Sequence, residues 1–292
     1  MKLFITLVFA CLAVAASANE DIDWSTVLPM METPGFWDGR LVKPGFNDRT
    51  GRIVGGEVTL PNAHPYQVGQ LARISLINTG LCGGSIIAPR VILTAAHCLD
   101  RASNIQVVMG AHNINTATEP TQQRQTVQPA NYRQHPAYNA QTLLNDIATL
   151  ILPNPAVFNA FVQPSSLPTA AEANLLFVGD LATVSGWGRM GDFASNTATQ
   201  LRSVQNNVIT NEECAAVFGP TTIQPSTLCV STVGGRGTCS GDSGGPLTTQ
   251  VNGRLVQIGV VSFVAGSGCQ RGLPGGYVRI TSFLDWIAAN SR

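Results

Sequence analysis

Thr238-Cys239-Ser240-Gly241-Asp242-Ser243-Gly244-Gly245-Pro246-Leu247 sets a serine among glycines, with an acid directly before it and a cysteine four residues upstream. A serine hydroxyl is a weak nucleophile on its own and needs a base and a backbone that exposes it. Glycines at 241, 244 and 245 allow a close approach of another chain and backbone angles closed to other residues. The plain alternative is a Gly/Ser-rich surface turn. What decides between them is whether a positioned base and its orienting acid occur elsewhere in the chain.

The surroundings of this stretch read as many short strands. Pro65–Leu76, Gly83–Ile87, Val91–Thr94, Ile105–Met109, Gln125–Pro129 and Ile147–Pro153 are β-rich, and Pro164-Ser165-Ser166-Leu167-Pro168 breaks the pattern as a junction between halves. Ala182–Trp187, Leu201–Ile209, Thr227–Ser231, Gly245–Thr249, Leu255–Val264 and Gly276–Ile280 resume it. Strands at this spacing, with 29 Gly and 17 Pro scattered between them, predict an all-β barrel or sandwich class. Two helices are predicted: Asn211–Phe218, with Asn211 as N-cap, and Ser282–Ala289, with a capping-box-like Ser282/Asp285 pair and Phe283, Trp286 and Ile287 on one core-facing side.

The chain has 292 residues, 44% hydrophobic and 12% charged, with a net charge near zero, which is ample for one large core or two joined ones. No basic run points to nucleic acid or an anionic membrane. Met1-Lys2, the apolar run Leu3–Ala16 and Ala16-Ser17-Ala18 form a secretory signal peptide over residues 1–18, too short to span a bilayer and cut after Ala18. Cys11 leaves with it. Cys82, Cys98, Cys214, Cys229, Cys239 and Cys269 remain, an even set that implies disulfides in an oxidising compartment. Six cysteines allow 15 pairings, of which the sequential one is the simplest. No Cys-x-x-Cys or clustered histidine suggests a metal, and no cofactor motif occurs.

Asn19–Arg52 has a different composition, with six acids, four bases, two Pro-Gly pairs and no cysteine. It ends in Asn47-Asp48-Arg49-Thr50-Gly51-Arg52, a polar stretch suited to proteolysis, and Ile53-Val54-Gly55-Gly56 follows. As structure it reads as a flexible arm; as function it reads as a propeptide, residues 19–52, cut after Arg52 to free Ile53 at the head of a domain over 53–292.

Of the four histidines, His97 stands apart, in a small-residue turn (Leu93-Thr94-Ala95-Ala96-His97-Cys98) that a cysteine can pin. A general base must be held in one place and one tautomer. His64, His112 and His135 lie in polar or Pro-containing segments and read as structural or solvent-facing. Asp146 enters the apolar run Asn145-Asp146-Ile147-Ala148-Thr149-Leu150, where a carboxylate is costly without a partner; an imidazole N–H would satisfy it.

Ile53-Val54-Gly55-Gly56, Ala95-Ala96-His97-Cys98, Asp146-Ile147-Ala148, Ser185-Gly186-Trp187-Gly188 and Gly241–Pro246, in this order, resemble the chymotrypsin-like (trypsin-fold) serine endopeptidases over Ile53 to about Ala289. The resemblance implies two six-stranded antiparallel β-barrels with the active site between them, and sequential pairing of the six cysteines. It implies that Ser243 is the nucleophile, His97 the base and Asp146 its orienting acid. Gly241 and Ser243 N–H groups would form the oxyanion hole, Ser262 would support Asp146, and Ser262-Phe263-Val264 would pair with substrate backbone. Asp242 would receive the α-amino group of Ile53 after activation. The propeptide lacks the cysteine that tethers it in other members, so release after the cut is expected. Ala111, in Gly110-Ala111-His112-Asn113-Ile114, replaces the first acid of a calcium loop seen in some members, so calcium is not expected.

By the same resemblance Gly237 lies at the base of the specificity pocket, with Gly275 and Val264 on its walls. A base without a carboxylate argues against cleavage after Lys or Arg. It favours Phe, Tyr, Leu or Met, whereas a valine wall favours smaller residues as in elastases. Ser231–Cys239 also resembles the arthropod chymotrypsin-like and collagenolytic digestive proteases (brachyurins), which are broad in specificity. The alternatives are an elastase-like or collagenolytic enzyme, a non-catalytic protease homologue, and a protease of a regulatory cascade. The expected partners are protein or peptide substrates, a trypsin-like activating protease and protein protease inhibitors, for a secreted, extracellular monomer. Lys2 and Lys43 are the only lysines, so residues 53–292 carry twelve arginines and no lysine, a surface that keeps its charge at high pH and fits an alkaline gut lumen.

Overall fold

The computed structural model of the chain describes residues 22–38 and 55–292. The signal peptide, the cut after Arg52 and the terminus at Ile53 lie outside the described residues. Within them the strands are β1 (Val27–Pro29), β2 (Glu57–Val58), β3 (Gln67–Arg73), β4 (Thr79–Ala88), β5 (Val91–Thr94), β6 (Asn104–Met109), β7 (Gln123–Val127), β8 (Tyr132–Gln134) and β9 (Ala148–Ile151) in the first half. The second half holds β10 (Leu181–Gly186), β11 (Arg202–Ile209), β12 (Thr227–Val230), β13 (Pro246–Val251), β14 (Arg254–Phe263) and β15 (Gly275–Arg279). The helices are α1 (Asn211–Phe218) and α2 (Leu284–Ala289), and no helix among the described residues is long and apolar enough to cross a membrane.

The strands form two barrel-like sheets, as the sequence predicts. In the second, β10-β13-β14-β15-β12-β11 closes on itself through β10–β11 pairing, and β2 adds to its β11 edge. In the first, β7-β6-β3-β4-β5-β9-β8 run antiparallel in sequence of contact, a half-barrel open among the assigned strands. Closure matters because a closed sheet has no free edge to pair with another chain. The 164–168 junction is laid onto the second barrel by Gln257 N–H, which donates to Ser166 O at 2.8 Å. The first barrel's core, with Val68, Ile86, Leu93, Ile105 and Leu150 fully buried, extends to Phe283 and Ile287 of the C-terminal segment. Thr149 Oγ1 donates to Asn290 O at 2.7 Å, so the last helix clasps the first barrel.

Two cap assignments differ from expectation. The N-cap of α1 is Thr210, not Asn211, because Thr210 and Glu213 complete a reciprocal capping box. Ser282 does not cap the last helix: Ile280–Ser282 forms a 3-10 turn, α2 starts at Leu284, and its N-cap Phe283 has no side-chain cap bond. The cysteines pair Cys82–Cys98, Cys214–Cys229 and Cys239–Cys269.

Residues 22–38 are not a free arm. Strand β1 adds in parallel to β4, with Val27 opposite Thr79 and Pro29 opposite Leu81. Met30, Met31 and Phe36 join the first barrel's core, and Ile22 and Trp24 pack on the cluster around Leu71, Leu81 and Trp187. Glu32 forms an ion pair with Arg189, and Arg101 Nη1 donates to Pro34 O at 2.6 Å.

Candidate active site

The site lies where the two sheets meet. His97 sits in the 3-10 turn Ala96–Leu99 that follows β5, next to the Cys82–Cys98 disulfide. Asp146 precedes β9, whose four residues pair with β5, so sheet register brings acid and histidine together across 49 residues of sequence. Asp146 Oδ1 accepts the His97 backbone N–H at 2.9 Å, and Oδ2 is 2.7 Å from His97 Nδ1. Ser262 Oγ, at the end of β14, donates to the same Oδ2 at 2.6 Å. Both residues are fully buried. The carboxylate can only accept, so the imidazole presents Nδ1–H to it and leaves Nε2 as the basic atom. His97 Nε2 has no hydrogen-bond partner among the described residues.

Ser243 comes from the other barrel, on the turn before β13. Gly83 N–H of β4 donates to Ser243 O at 2.7 Å, which fixes the serine's loop against the first barrel. A Cβ at Gly83 would stand 2.9 Å from Gly245 Cα, so the barrels approach closely enough only with glycine there. Gln70 Nε2 and Thr94 Oγ1 both donate to Gly83 O, at 2.7 and 3.0 Å, locking the peptide that carries the serine loop. Gly241 has φ +100°, which L residues with side chains rarely adopt, and it turns the backbone between Cys239 and Ser243. Ser243 Oγ faces Met31 Sδ at 3.6 Å.

Asp242 is buried beneath this turn. Its carboxylate accepts Gly188 N–H at 2.8 Å and Cys239 N–H at 3.0 Å. Burial pushes its pKa up to about 6, opposed by those two bonds. Such a group calls for a cation, and Ile53, expected to supply one, is outside the described residues.

Gly237 is faced by Thr232, whose Cγ2 would lie 2.8 Å from an added Cβ. Gly275 is faced by the Tyr277 ring and the Thr238 hydroxyl, each between 3.4 and 3.7 Å from an added Cβ. Neither group is a carboxylate. Val264 packs on the Cys239–Cys269 disulfide, and Phe263 is held edge-on by Phe218, centroids 5.3 Å apart. Thr232 and Tyr277 were not singled out from the sequence; the fold sets them beside Gly237 and Gly275, and Thr232 Oγ1 donates to Leu273 O at 2.6 Å. Glu119 accepts the N–H groups of His112 and Asn113, at 2.9 and 3.1 Å, and is thereby engaged in closing its own loop.

Residues 53–287 match the Trypsin family model. The chain belongs to the trypsin family. This protease is 41% identical to the brachyurin of Leptuca pugilator, over 80% of its own length and 96% of the relative's. It is 38% identical to a collagenase of Hypoderma lineatum (84% and 90% covered) and 36% identical to a chymotrypsin of Phaedon cochleariae (82% of each). A solved structure of HL collagenase superposes with a TM-score of 0.73 at 35% identity, over 82% of this chain and 98% of that one. The chain is a trypsin-family serine endopeptidase, acting on protein substrates.

Proposed function

We propose that the protein is a secreted digestive endopeptidase, made as a zymogen with residues 19–52 as propeptide and cut after Arg52 by a trypsin-like protease. Ser243 attacks the scissile carbonyl, His97 Nε2 takes the hydroxyl proton and returns it to the leaving amine, and Asp146 steadies the imidazolium. The Gly241 and Ser243 N–H groups receive the oxyanion, each such donor contributing about 2.7–4 kcal/mol in comparable enzymes. The observation that carries this reading is the buried Asp146 carboxylate bridging His97 and Ser262 at 2.7 and 2.6 Å, a second-barrel serine and a first-barrel base held on one acid.

Asp242 links the chemistry to the cut. A buried carboxylate without a cation is costly, and the Ile53 amine freed at Arg52 offsets that cost while setting the Gly241–Ser243 turn. An Arg52→Gln chain treated with trypsin is expected to stay inactive, and full activity without cleavage would overturn the zymogen reading.

The pocket groups support cleavage after Phe, Tyr, Leu or Met, because a lysine or arginine side chain would meet Thr232 and Tyr277 rather than an anion. A second reading, elastase-like or broad collagenolytic cleavage, is favoured by Val264 at the pocket wall and by similarity to proteins named brachyurin and collagenase. Peptide-library profiling of the chain cut at Arg52 separates the two: preference for Phe over Ala supports the first, the reverse the second.

A further inference from the structure

We propose that residues 22–38 are a peptide inhibitor of the active-site cleft, which holds to it after the cut at Arg52 and acts in trans as a reversible, uncleaved ligand. The inference rests on the assignment of Ser243 and His97 as the reacting groups and of Arg52 as the cut.

The segment covers both of those groups. Met31 Sδ is the atom that faces Ser243 Oγ, at 3.6 Å. The Phe36 ring stands edge-on to the His97 imidazole, centroids 6.0 Å apart at 82°. Ser243 is 4% exposed and His97 0%. The contacts are built rather than incidental. Met30 lies against Gly80, where an added Cβ would come within 2.6 Å of its sulfur, so β4 has glycine at the point where the segment docks. Met30 is 1%, Met31 9% and Phe36 3% exposed, a burial of three large apolar side chains that is a favourable term on the hydrophobic scale. Glu32 pairs with Arg189, Pro34 O accepts from Arg101, and β1 completes the attachment along β4.

All of these contacts lie N-terminal to Arg52. Cutting there removes the covalent link and none of the contacts. What changes is the local concentration of the segment, from that of a tethered group to that of a free peptide. Dissociation therefore depends on dilution, and the absence of a propeptide cysteine allows it.

The segment is also not presented as a substrate. Attack needs a carbonyl carbon about 3–3.5 Å from Oγ. Met30–Glu32 is instead curled in a 3-10 turn, and a thioether occupies the place of the carbonyl. No hydrogen bond among the described residues joins the Gly241 or Ser243 N–H to a carbonyl of the segment. The turn keeps its backbone away from the oxyanion donors, so the peptide survives its own enzyme.

The test uses the full chain cut at Arg52 with trypsin, and synthetic peptide 22–38. Activity per cut molecule is expected to rise on dilution. Added peptide is expected to inhibit in competition with a small chromogenic substrate and to remain intact by mass spectrometry. A peptide carrying Met31→Glu and Phe36→Ala is expected to inhibit about tenfold more weakly or worse. Binding of labelled peptide to a cut Ser243→Ala chain reads docking apart from catalysis. Docking in a preparation that never reacts with a serine-directed inhibitor would remove the catalytic reading and, with it, inhibition as the role of the docked segment. An enzyme that titrates and turns over, unaffected by peptide in large excess, would overturn the inference, as would hydrolysis of the peptide.

Discussion

Asp146 receives three donors, the backbone N–H and Nδ1–H of His97 and the hydroxyl of Ser262. An amide in its place offers one acceptor and presents N–H groups to the rest, so it turns the imidazole to the wrong tautomer. Asp146→Asn is expected to lower kcat by about 10⁴ with little change in KM, read by steady-state kinetics on the cut enzyme. Ser262→Ala, which keeps both histidine bonds, should cost far less; an equal loss would show that the hydroxyl does more than support the acid. Asp242 bears on stability. In the uncut chain its folded pKa of about 6 stands above the ordinary 3.8, so the folded state binds the proton more tightly and stability falls as pH rises between those values. The fall amounts to at most about 3 kcal/mol. His64, half-buried and lowered to about 4, runs the other way, since its contribution is present above 6.5 and lost as pH falls. The clean readout is therefore a difference: Asp242→Asn should make stability rise more steeply with pH between 4 and 6 than in the uncut parent chain, and an unchanged slope would refute the assignment.

The loop from Cys239 to Cys269 carries Val264, the proposed pocket wall, packed on the disulfide itself. The bridge spans 30 residues, a closure that contributes roughly 3–4 kcal/mol in the chain-entropy account. Cys239→Ser with Cys269→Ser is expected to lose about that much stability and to blur the preference for large apolar residues. Loss of stability with specificity intact would mean the pocket is held from β14 and β15 alone. Elements of this kind were legible in the sequence because their signals are local. The turn-flanked apolar runs gave most strands to within a few residues, though not the short β1, β2 and β8, and Thr210-x-x-Glu213 explains why α1 begins one residue earlier than an Asn211 cap implies. Residues 22–38 were not legible in that way. Met30, Met31 and Phe36 follow no helical or strand period, and what buries them is distant in sequence: Gly80 of β4 lies against Met30, Ser243 faces Met31 and His97 stands edge-on to Phe36 within the first barrel's core. The same limit hid Thr232 and Tyr277, because what faces Gly237 and Gly275 is set by the fold. The proposed triad could be named because the residue order and flanking motifs of the family stand in the sequence; the structure pairs His97 with Asp146 and sets Ser243 Oγ against Met31 Sδ, with no hydrogen bond to His97 Nε2 among the described residues.

At the scale of the whole molecule the absence of lysine from residues 53–292 makes the proposed activation chemically addressable. Once the chain is cut at Arg52 and freed of the propeptide, its one primary amine is the α-amino group of Ile53. A free α-amine loses its proton near about 7.7–8.0, but a buried carboxylate partner favours the charged form. The sign follows directly: the pairing is intact at low and neutral pH and fails as pH rises through the shifted value, so activity should persist well above pH 8 and then fall reversibly. Arginine side chains remain charged across that range, so no other basic side chain titrates to confuse the profile. Acetic anhydride applied on the alkaline limb is expected to add a single acetyl group at Ile53, by mass spectrometry, in step with loss of activity, while neutral pH protects both. Singly acetylated enzyme with full activity would disprove the Asp242–Ile53 linkage, and collapse of activity below pH 9 would remove the alkaline gut as its setting.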